Sequence, residues 1–173
     1  KNHAIISFDP NIRLPLWSSA EACQETVREF LPDADLVKLS DEECFFVTGK
    51  HSILDAADWL FEQGCKMVLY SMGKEGAMIL TPHFSSHVEN PEVRVKDTTG
   101  AGDAIIGAYL YCLAKNHITV SQLADCLPEQ VQEWLTFAVY YANYSITKSG
   151  AIASYPDYTT FVKWMQEKRK KAH

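Results

Sequence analysis

The stretch Asp97-Thr98-Thr99-Gly100-Ala101-Gly102-Asp103 leads from a loop into a helix. Apolar residues after it keep to one helical face and predict a helix over 101–115: Ala104, Ile105, Ala108 and Cys112. Two glycines and one small residue at this helix start let consecutive backbone N–H groups converge on an anion without obstruction by side chains. The stretch therefore predicts a site for a phosphoryl group, or for its transition-state charge, at a helix N-terminus.

Asp103 falls in the first turn of this predicted helix, beside the anion site. A carboxylate there repels phosphate unless its position serves the chemistry, and it can accept a proton from a substrate hydroxyl during phosphoryl transfer. The alternative interpretation is an ordinary acidic residue that favours a helix N-terminus. The stretch is not a Walker A loop, because the terminal Lys-Ser or Lys-Thr pair of that motif is missing.

Strands and helices alternate on both sides of this stretch. The predicted strands cover 4–8, 35–39, 66–70, 77–80 and, more weakly, 88–95. The predicted helices cover 18–30, a short segment from 40 to 49, 53–63, 101–115, 129–147 and 159–171. Capping-box pairs mark two helix starts, Ser18 with Glu21 and Ser40 with Glu43. The pattern predicts an α/β layer sandwich around a mainly parallel sheet, with antiparallel strands added at one edge and sites at the C-terminal ends of the strands.

Composition narrows the possible partners of the chain. Its 173 residues fit one domain, and a net charge of −6 argues against a nucleic-acid surface. The basic run 168–171 is interpreted as a solvated helix end. No apolar run is long enough to span a membrane. Five cysteines without a CxxC pair predict buried thiols in a reducing cytoplasm, and six histidines without ligand spacing predict no intrinsic metal site, so metal would arrive with a nucleotide.

The stretch 97–103 resembles the signature of the ribokinase-like, or PfkB, carbohydrate kinases. Other segments resemble further motifs of the same family, in the same order along the chain. Asp9-Pro10-Asn11-Ile12-Arg13 resembles the DxNxR segment of the fructokinase and 2-keto-3-deoxygluconate kinase branch, and the segment 38–43 resembles KxNxxE. The segment 71–76 resembles the T/SxGxxG loop, and Gly150-Ala151 resembles the late GA turn. The resemblance covers essentially the whole chain and implies a ribokinase-like three-layer α/β/α sandwich with a mainly parallel sheet.

The resemblance also implies roles for individual residues. Asp103 would be the catalytic base, and the amides of Gly100, Ala101 and Gly102 would form the anion hole. The residues that it implies around the nucleotide are Lys38, Ser40, Ser71, Gly73, Lys74, Gly76 and Gly150. The alternative for the segment 71–76 is a simple hairpin turn. Val139 stands where fructokinases often carry an asparagine near the nucleotide, and the aromatic residues of the same predicted helix are interpreted as packing residues: Trp134, Tyr140, Tyr141 and Tyr144.

Substrate and metal contacts follow from the same resemblance. Asn11 and Arg13 would reach phosphate or substrate, and a guanidinium suits anionic oxygens. Glu43 would act through water on Mg²⁺, although with Ser40 it also forms a capping box that needs no further function. Oxygen ligands for a monovalent cation such as K⁺ would come from Asp97, Thr99, Gly150 and Ser154.

These implications predict an ATP-dependent kinase that phosphorylates a sugar primary hydroxyl, with fructose as first substrate and 2-keto-3-deoxygluconate as the alternative. A non-catalytic nucleotide-binding module is the alternative from another class. Family members are longer, and their N-terminal part supplies sugar contacts and a β-lid that often forms a dimer. We therefore expect 1–173 to be the C-terminal, nucleotide-binding part of one ribokinase-like domain, inactive alone and homodimeric when full-length.

Overall fold

The computed structural model describes residues 4–171, apart from the side chain of Lys171. The strands in this range are β1 (Ser7–Phe8), β2 (Leu36–Ser40), β3 (Met67–Ser71), β4 (Ala77–Leu80) and β5 (Ser85–Val88). The α-helices are α1 (Ala20–Phe30), α2 (Asp41–Thr48), α3 (Ile53–Glu62), α4 (Ala101–Lys115), α5 (Pro128–Ser145) and α6 (Tyr158–Lys171). The predicted helices over 101–115 and 53–63 therefore agree with α4 and α3 to within a residue.

The strands form one sheet in the order β1-β2-β3-β4-β5. The first three are parallel to one another, whereas β4 is antiparallel to β3 and β5 is antiparallel to β4. Because two reversals restore the original direction, only β4 in the described sheet runs against the others. The predicted mainly parallel sheet with antiparallel additions at one edge is confirmed.

Helices cover both faces of the sheet. Leu36 of β2 packs in the core beneath α4 and α5, whereas Val37 and Leu39 pack in the core beneath α1, α2 and α3. This division follows from the alternation of side chains along a strand. Lys38 therefore points to the same side as Leu36, toward α4. The alternation along β2 therefore places the charged side chain of Lys38 beside α4, the helix that follows the glycine motif.

Three predicted elements differ from the structure. The strand predicted over 4–8 has only Ser7 and Phe8 in the sheet, because the Ile6 N–H donates to the Asp35 carboxylate at 3.0 Å instead. The cap of α1 is Ser19, whose hydroxyl accepts from the Ala22 N–H at 3.1 Å, so the predicted cap at Ser18 is wrong by one residue.

The strand predicted over 88–95 is also wrong. The strand β5 lies earlier, at Ser85–Val88, and no strand covers 89–95. Pro91 has no N–H to donate, and the side chain of Asn90 is hydrogen-bonded to the Gly73 carbonyl. This segment leaves the sheet and forms part of a cleft wall.

The predicted packing roles are confirmed. All five cysteines are buried free thiols, and burial raises the pKa of Cys44 and Cys65 to about 11 and that of Cys112 to about 12. Trp134 is buried against α4, while Tyr140 and Tyr144 pack edge-on against Trp164 of α6. None of the helices within residues 4–171 combines the length and apolar character needed to cross a lipid bilayer.

Candidate nucleotide and phosphoryl-transfer site

A cleft of about 560 Å³ lies between the loop after β3, the start of α4 and the inner face of α5. Six of the predicted site residues line it: Ser71, Gly73, Lys74, Gly76, Ala101 and Gly102. The structure thus brings together two motifs that are 25 or more positions apart in the sequence. Val139 lies in the wall formed by α5.

The loop after β3 is both a hairpin turn and a wall of the cleft. The Met72 N–H donates to the Gly76 carbonyl at 2.9 Å, which closes the turn between β3 and β4. Gly76 has a φ of 98°, and a Cβ there would lie 2.0 Å from the Val88 carbonyl oxygen. Glycine is therefore required for the turn itself, and the same compact turn leaves room for a ligand in the cleft.

Gly100 makes the turn that starts α4. Its φ is 78°, in the left-handed region, and its carbonyl accepts from the Ala104 N–H at 2.8 Å and from the Tyr155 hydroxyl at 2.9 Å. The Ala101 N–H donates to the Thr98 carbonyl at 3.1 Å, whereas those of Gly100 and Gly102 have no acceptor within residues 4–171. Two of the three predicted anion-hole amides are therefore free to bind an anion.

The ammonium of Lys38 lies against the start of α4, where the sequence predicts an anion site. It is 3.1 Å from the position that a Cβ on Gly102 would occupy, and only 8% of the side chain is exposed. Its partners are the carboxylates of Asp9 at 3.3 Å and Glu43 at 3.8 Å. Burial raises the pKa of Asp9, the Lys38 ammonium opposes that rise, and the charges of Glu43 and Asp103 reinforce it. Asp9 was not predicted as a site residue, although it opens the quoted segment 9–13.

Glu43 ties the segment 9–13 to the start of α2. One carboxylate oxygen accepts from the Ile12 N–H at 3.0 Å, and the other accepts from the Ser40 N–H at 3.0 Å. The Ser40 hydroxyl accepts in return from the Glu43 N–H at 3.4 Å, so the predicted capping box is confirmed. Asn11, with a φ of 46°, and Arg13 are held in this anchored segment at the C-terminal end of β1 and are exposed to solvent.

The loops around Asp97 and Gly150 meet at the other side of the helix start. One Asp97 oxygen accepts from the Gly150 N–H at 2.8 Å, and the other accepts from the Thr99 hydroxyl at 2.7 Å and N–H at 2.9 Å. These hydrogen bonds lower the pKa of Asp97 to about 2, and the bond from the Gly150 N–H has the largest effect. Ser154 is buried, and its hydroxyl donates to the Ala151 carbonyl at 2.7 Å. Three of the four predicted cation ligands are therefore in contact with one another.

Asp103 faces a second pocket of about 290 Å³ between α4, α5 and α6. Its other walls are mainly aromatic and small side chains, including Gly107, Tyr111, Phe137 and Tyr155. Gly102 lines the cleft of about 560 Å³, and the next residue lines this pocket. The first turn of α4 therefore places Ala101 and Gly102 at the cleft and Asp103 at the second pocket.

Asn143 and Asn90 are polar residues of the cleft wall that were not predicted as site residues. Asn143 on α5 is 4% exposed, and its side chain donates to the Asn90 side chain at 2.8 Å. Asn143 follows Val139 by four residues, so helical spacing places both on one face and could have drawn attention to it. Asn90 lies in the segment 88–95, whose weak alternation predicted a strand, and no sequence signal identifies it as a cleft residue.

Comparison with known proteins finds fructokinases that are similar to this chain in sequence and in structure. Fructokinase-2 of Solanum habrochaites is 35% identical over 154 residues, which are 88% of this chain and 45% of that protein. The crystal structure of a fructokinase from Vibrio cholerae O395, in its fructose, ADP and calcium ion bound form, has a TM-score of 0.80 at 30% identity and is matched over 93% of this chain and 50% of that one.

The crystal structure of a fructokinase with bound ATP from Xylella fastidiosa has a TM-score of 0.88 at 28% identity, over 95% of this chain and 52% of that one. These likenesses confirm the predicted ribokinase-like fold. The chain spans about half the length of the curated relatives it matches. Residues 1–158 match the family model for pfkB family carbohydrate kinases, and the chain therefore belongs to that family.

Proposed function

We propose that the protein is an ATP-dependent sugar kinase that transfers the γ-phosphate to a primary hydroxyl of fructose. The observation that carries this proposal is the start of α4, where Gly102 lines the nucleotide cleft and Asp103 lines the adjoining pocket. Donor and acceptor can then meet across one helical turn. Fructose is supported by the names of the relatives and by the fructose and ADP in the Vibrio cholerae structure.

The chemical roles follow from the groups at the helix start. The free amides of Gly100 and Gly102, together with the positive end of α4, stabilise the transferring phosphoryl group. The ammonium of Lys38 adds a buried positive charge on the same side. Asp103 accepts the proton of the attacking hydroxyl, so that the oxygen–phosphorus bond forms as the bond to ADP breaks.

The nucleotide would occupy the cleft beside these groups. Its phosphates would lie near Ser71, Gly73, Lys74 and Gly76, with Ser40 at the adjoining end of β2. Asn11 and Arg13 would contact phosphate or substrate from the anchored segment after β1. Gly150 would act on the nucleotide side through the Asp97 loop that it holds.

Mg²⁺ would be carried mainly by the nucleotide phosphates. Residues 4–171 contain no group of three His, Cys, Asp or Glu side chains arranged to hold a metal ion. Mg²⁺ commonly takes few direct protein ligands and keeps several waters, so Glu43 would act through such a water. When bound, Mg²⁺ neutralises the charge that develops on the phosphate oxygens.

A monovalent cation would be held by oxygens of Asp97, Thr99 and Gly150, with Ser154 nearby. The ionised Asp97 carboxylate suits a hard cation. A Vibrio cholerae fructokinase variant, similar to this chain with a TM-score of 0.80 at 30% identity, was crystallised with fructose, ADP and potassium ion. The family resemblance adds three further parts to the proposal. A further segment of the complete protein would supply sugar contacts, the complete protein would form a homodimer, and it would be located in the cytoplasm.

The test is the substitution Asp103→Asn in the complete protein. It removes the proton acceptor and keeps the shape of the side chain, so kcat should fall by about 10²–10⁴-fold while ATP affinity is largely retained. Steady-state kinetics and nucleotide titration measure both quantities. The matched control is Glu133→Gln on the exposed side of α5, which should leave kcat unchanged. Unchanged turnover in Asp103→Asn would contradict the assignment of Asp103 as the base. Nucleotide binding without any turnover in the unaltered protein would favour the alternative, a non-catalytic nucleotide-binding module.

A further inference from the structure

A chain of two side-chain amides crosses the wall of the nucleotide cleft. The Asn143 nitrogen donates to the Val139 carbonyl at 2.9 Å and to the Asn90 side-chain oxygen at 2.8 Å. The Asn90 nitrogen donates in turn to the Gly73 carbonyl at 2.8 Å. All four residues line the cleft, so this chain of hydrogen bonds joins α5 to the loop after β3 within the cleft wall.

The direction of these hydrogen bonds is fixed at both ends. Backbone carbonyls only accept, so the nitrogen of each amide must face its carbonyl, that of Val139 or that of Gly73. Rotating the Asn143 amide by half a turn would place two acceptors against each other. Because an amide nitrogen has two hydrogens, both donors of Asn143 are already used.

The remaining polar atom of Asn143 is its side-chain oxygen, Oδ1. It accepts no hydrogen bond from residues 4–171. No fully buried side-chain oxygen in that part of the chain lacks a partner, so this oxygen retains access to solvent although the residue is 96% buried. The open space at Asn143 is the cleft. The cleft therefore contains an acceptor whose orientation cannot reverse.

The part of the cleft around Asn143 suits a planar base. Its walls include Val139, Ala142 and Ile146 of α5 and the valines 93 and 95. Apolar walls with a few oriented polar groups are typical of small-molecule sites. With the phosphates at the start of α4, a nucleoside would extend along this surface.

We propose that Asn143 selects the base by accepting a hydrogen bond from the exocyclic amino group of adenine. Adenine carries a donor at its six-position, whereas hypoxanthine and guanine carry a carbonyl acceptor there. An asparagine that could rotate would serve both kinds of base, but this one cannot. The inference rests on the proposed function, because it takes the cleft to hold a nucleoside phosphate.

The experiment is calorimetric titration of the purified protein with ADP, with inosine diphosphate and with tripolyphosphate, each with Mg²⁺. The two nucleotides differ only at the base, and tripolyphosphate reports on the anion site without a base. ADP should bind on the order of tenfold more tightly than inosine diphosphate, since an unmatched buried acceptor is unfavourable. This comparison needs no variant.

Asn143→Leu then removes the acceptor at nearly constant size. The ratio of ADP to inosine diphosphate affinity should fall to about one, while tripolyphosphate binding is unchanged. The matched control is Asn90→Ala, which removes the bond between the amides but leaves the Val139 carbonyl to orient Asn143. That variant should keep the ratio. Thermal unfolding of both variants checks that they are folded.

The outcomes separate the two proposals. Equal affinity of the unaltered protein for both nucleotides, or a ratio that survives Asn143→Leu, would overturn the role of Asn143. Binding of tripolyphosphate would in that case still support the anion site. If none of the three ligands binds, the proposed nucleotide site is wrong, and the inference about Asn143 falls with it.

Discussion

At the scale of single residues, the start of α4 depends on contacts that only small groups allow. A Cβ on Gly100 would lie 2.7 Å from the Tyr155 hydroxyl and 2.8 Å from the Cβ of Ala151. The sequence predicted a glycine requirement here from the approach of an anion. The structure adds a second reason, because Tyr155 and Ala151 come from a loop some 50 residues later and close the turn from behind.

Gly100→Ala should lower the free energy of unfolding by about 2–4 kcal/mol, from the left-handed φ and the contact with Tyr155. Gly107→Ala is the matched control on the same helix, because a Cβ there meets no atom within 4 Å. It should raise the free energy of unfolding by about 0.5–1 kcal/mol. Urea denaturation measures both, and equal effects of the two substitutions would contradict this account of Gly100.

Residue types also explain which site predictions sequence reasoning could make. Glu43 and Ser40 were predicted from spacing alone, and the capping box is present. The contact of Lys38 with Gly102 could not be predicted, because it joins residues 64 positions apart across the layer between β2 and α4. Strand alternation gives the side to which Lys38 points, but only packing places α4 there.

At the scale of elements, local signals predicted the helices better than the strands. Helix starts carry their own hydrogen-bonding partners, as Ser40 and Glu43 do for α2, so the signal lies within a few residues. A strand needs a neighbouring strand, and beyond Val88 the segment 89–95 has none. Its weak alternation was therefore not enough to make it a strand.

The start of α6 offers a test of one such local signal. The Asp157 carboxylate accepts hydrogen bonds from the Thr160 N–H at 2.9 Å and from the Thr160 hydroxyl at 2.6 Å. Both hydrogen bonds lower the pKa of Asp157, and the one from the hydroxyl has the larger effect. A lowered pKa stabilises the folded state above the unfolded value of 3.8, and this contribution is lost as pH falls through the folded value.

Asp157→Ala should therefore lower the midpoint temperature of thermal unfolding at pH 6. The difference in midpoint temperature between this variant and the unaltered protein should become smaller below pH 3.8. Asp157→Asn keeps an acceptor oxygen without the charge, so it should lie closer to the unaltered protein at pH 6. Amide hydrogen exchange in α6 locates the effect. A difference that does not change with pH would exclude the ionised carboxylate as its source.

At the scale of the whole molecule, the chain forms a sheet covered on both faces, yet it spans about half the length of its curated relatives. The pocket beside Asp103 is lined largely by apolar and aromatic groups such as Phe137 and Phe161. Sugar hydroxyls need hydrogen-bonding partners. We therefore expect specific sugar binding to need groups beyond those of this chain.

The 173-residue chain should accordingly bind ADP but show no fructose-dependent ATP consumption. A coupled ADP-release assay with fructose and with 2-keto-3-deoxygluconate measures this. The positive control is a complete relative assayed under the same conditions. Full kinase activity from a homogeneous 19.5 kDa species would contradict the expectation.

The sequence by itself determined the family, the alternation of strands and helices and the glycine-rich start of α4, because each depends on residues close together in the chain. Tertiary structure alone decided that Lys38 lies against Gly102, that Tyr155 supports Gly100, and that Asn143 and Asn90 share the cleft wall. These contacts join distant segments whose meeting depends on how helices pack on the sheet, and local sequence carries no record of that packing.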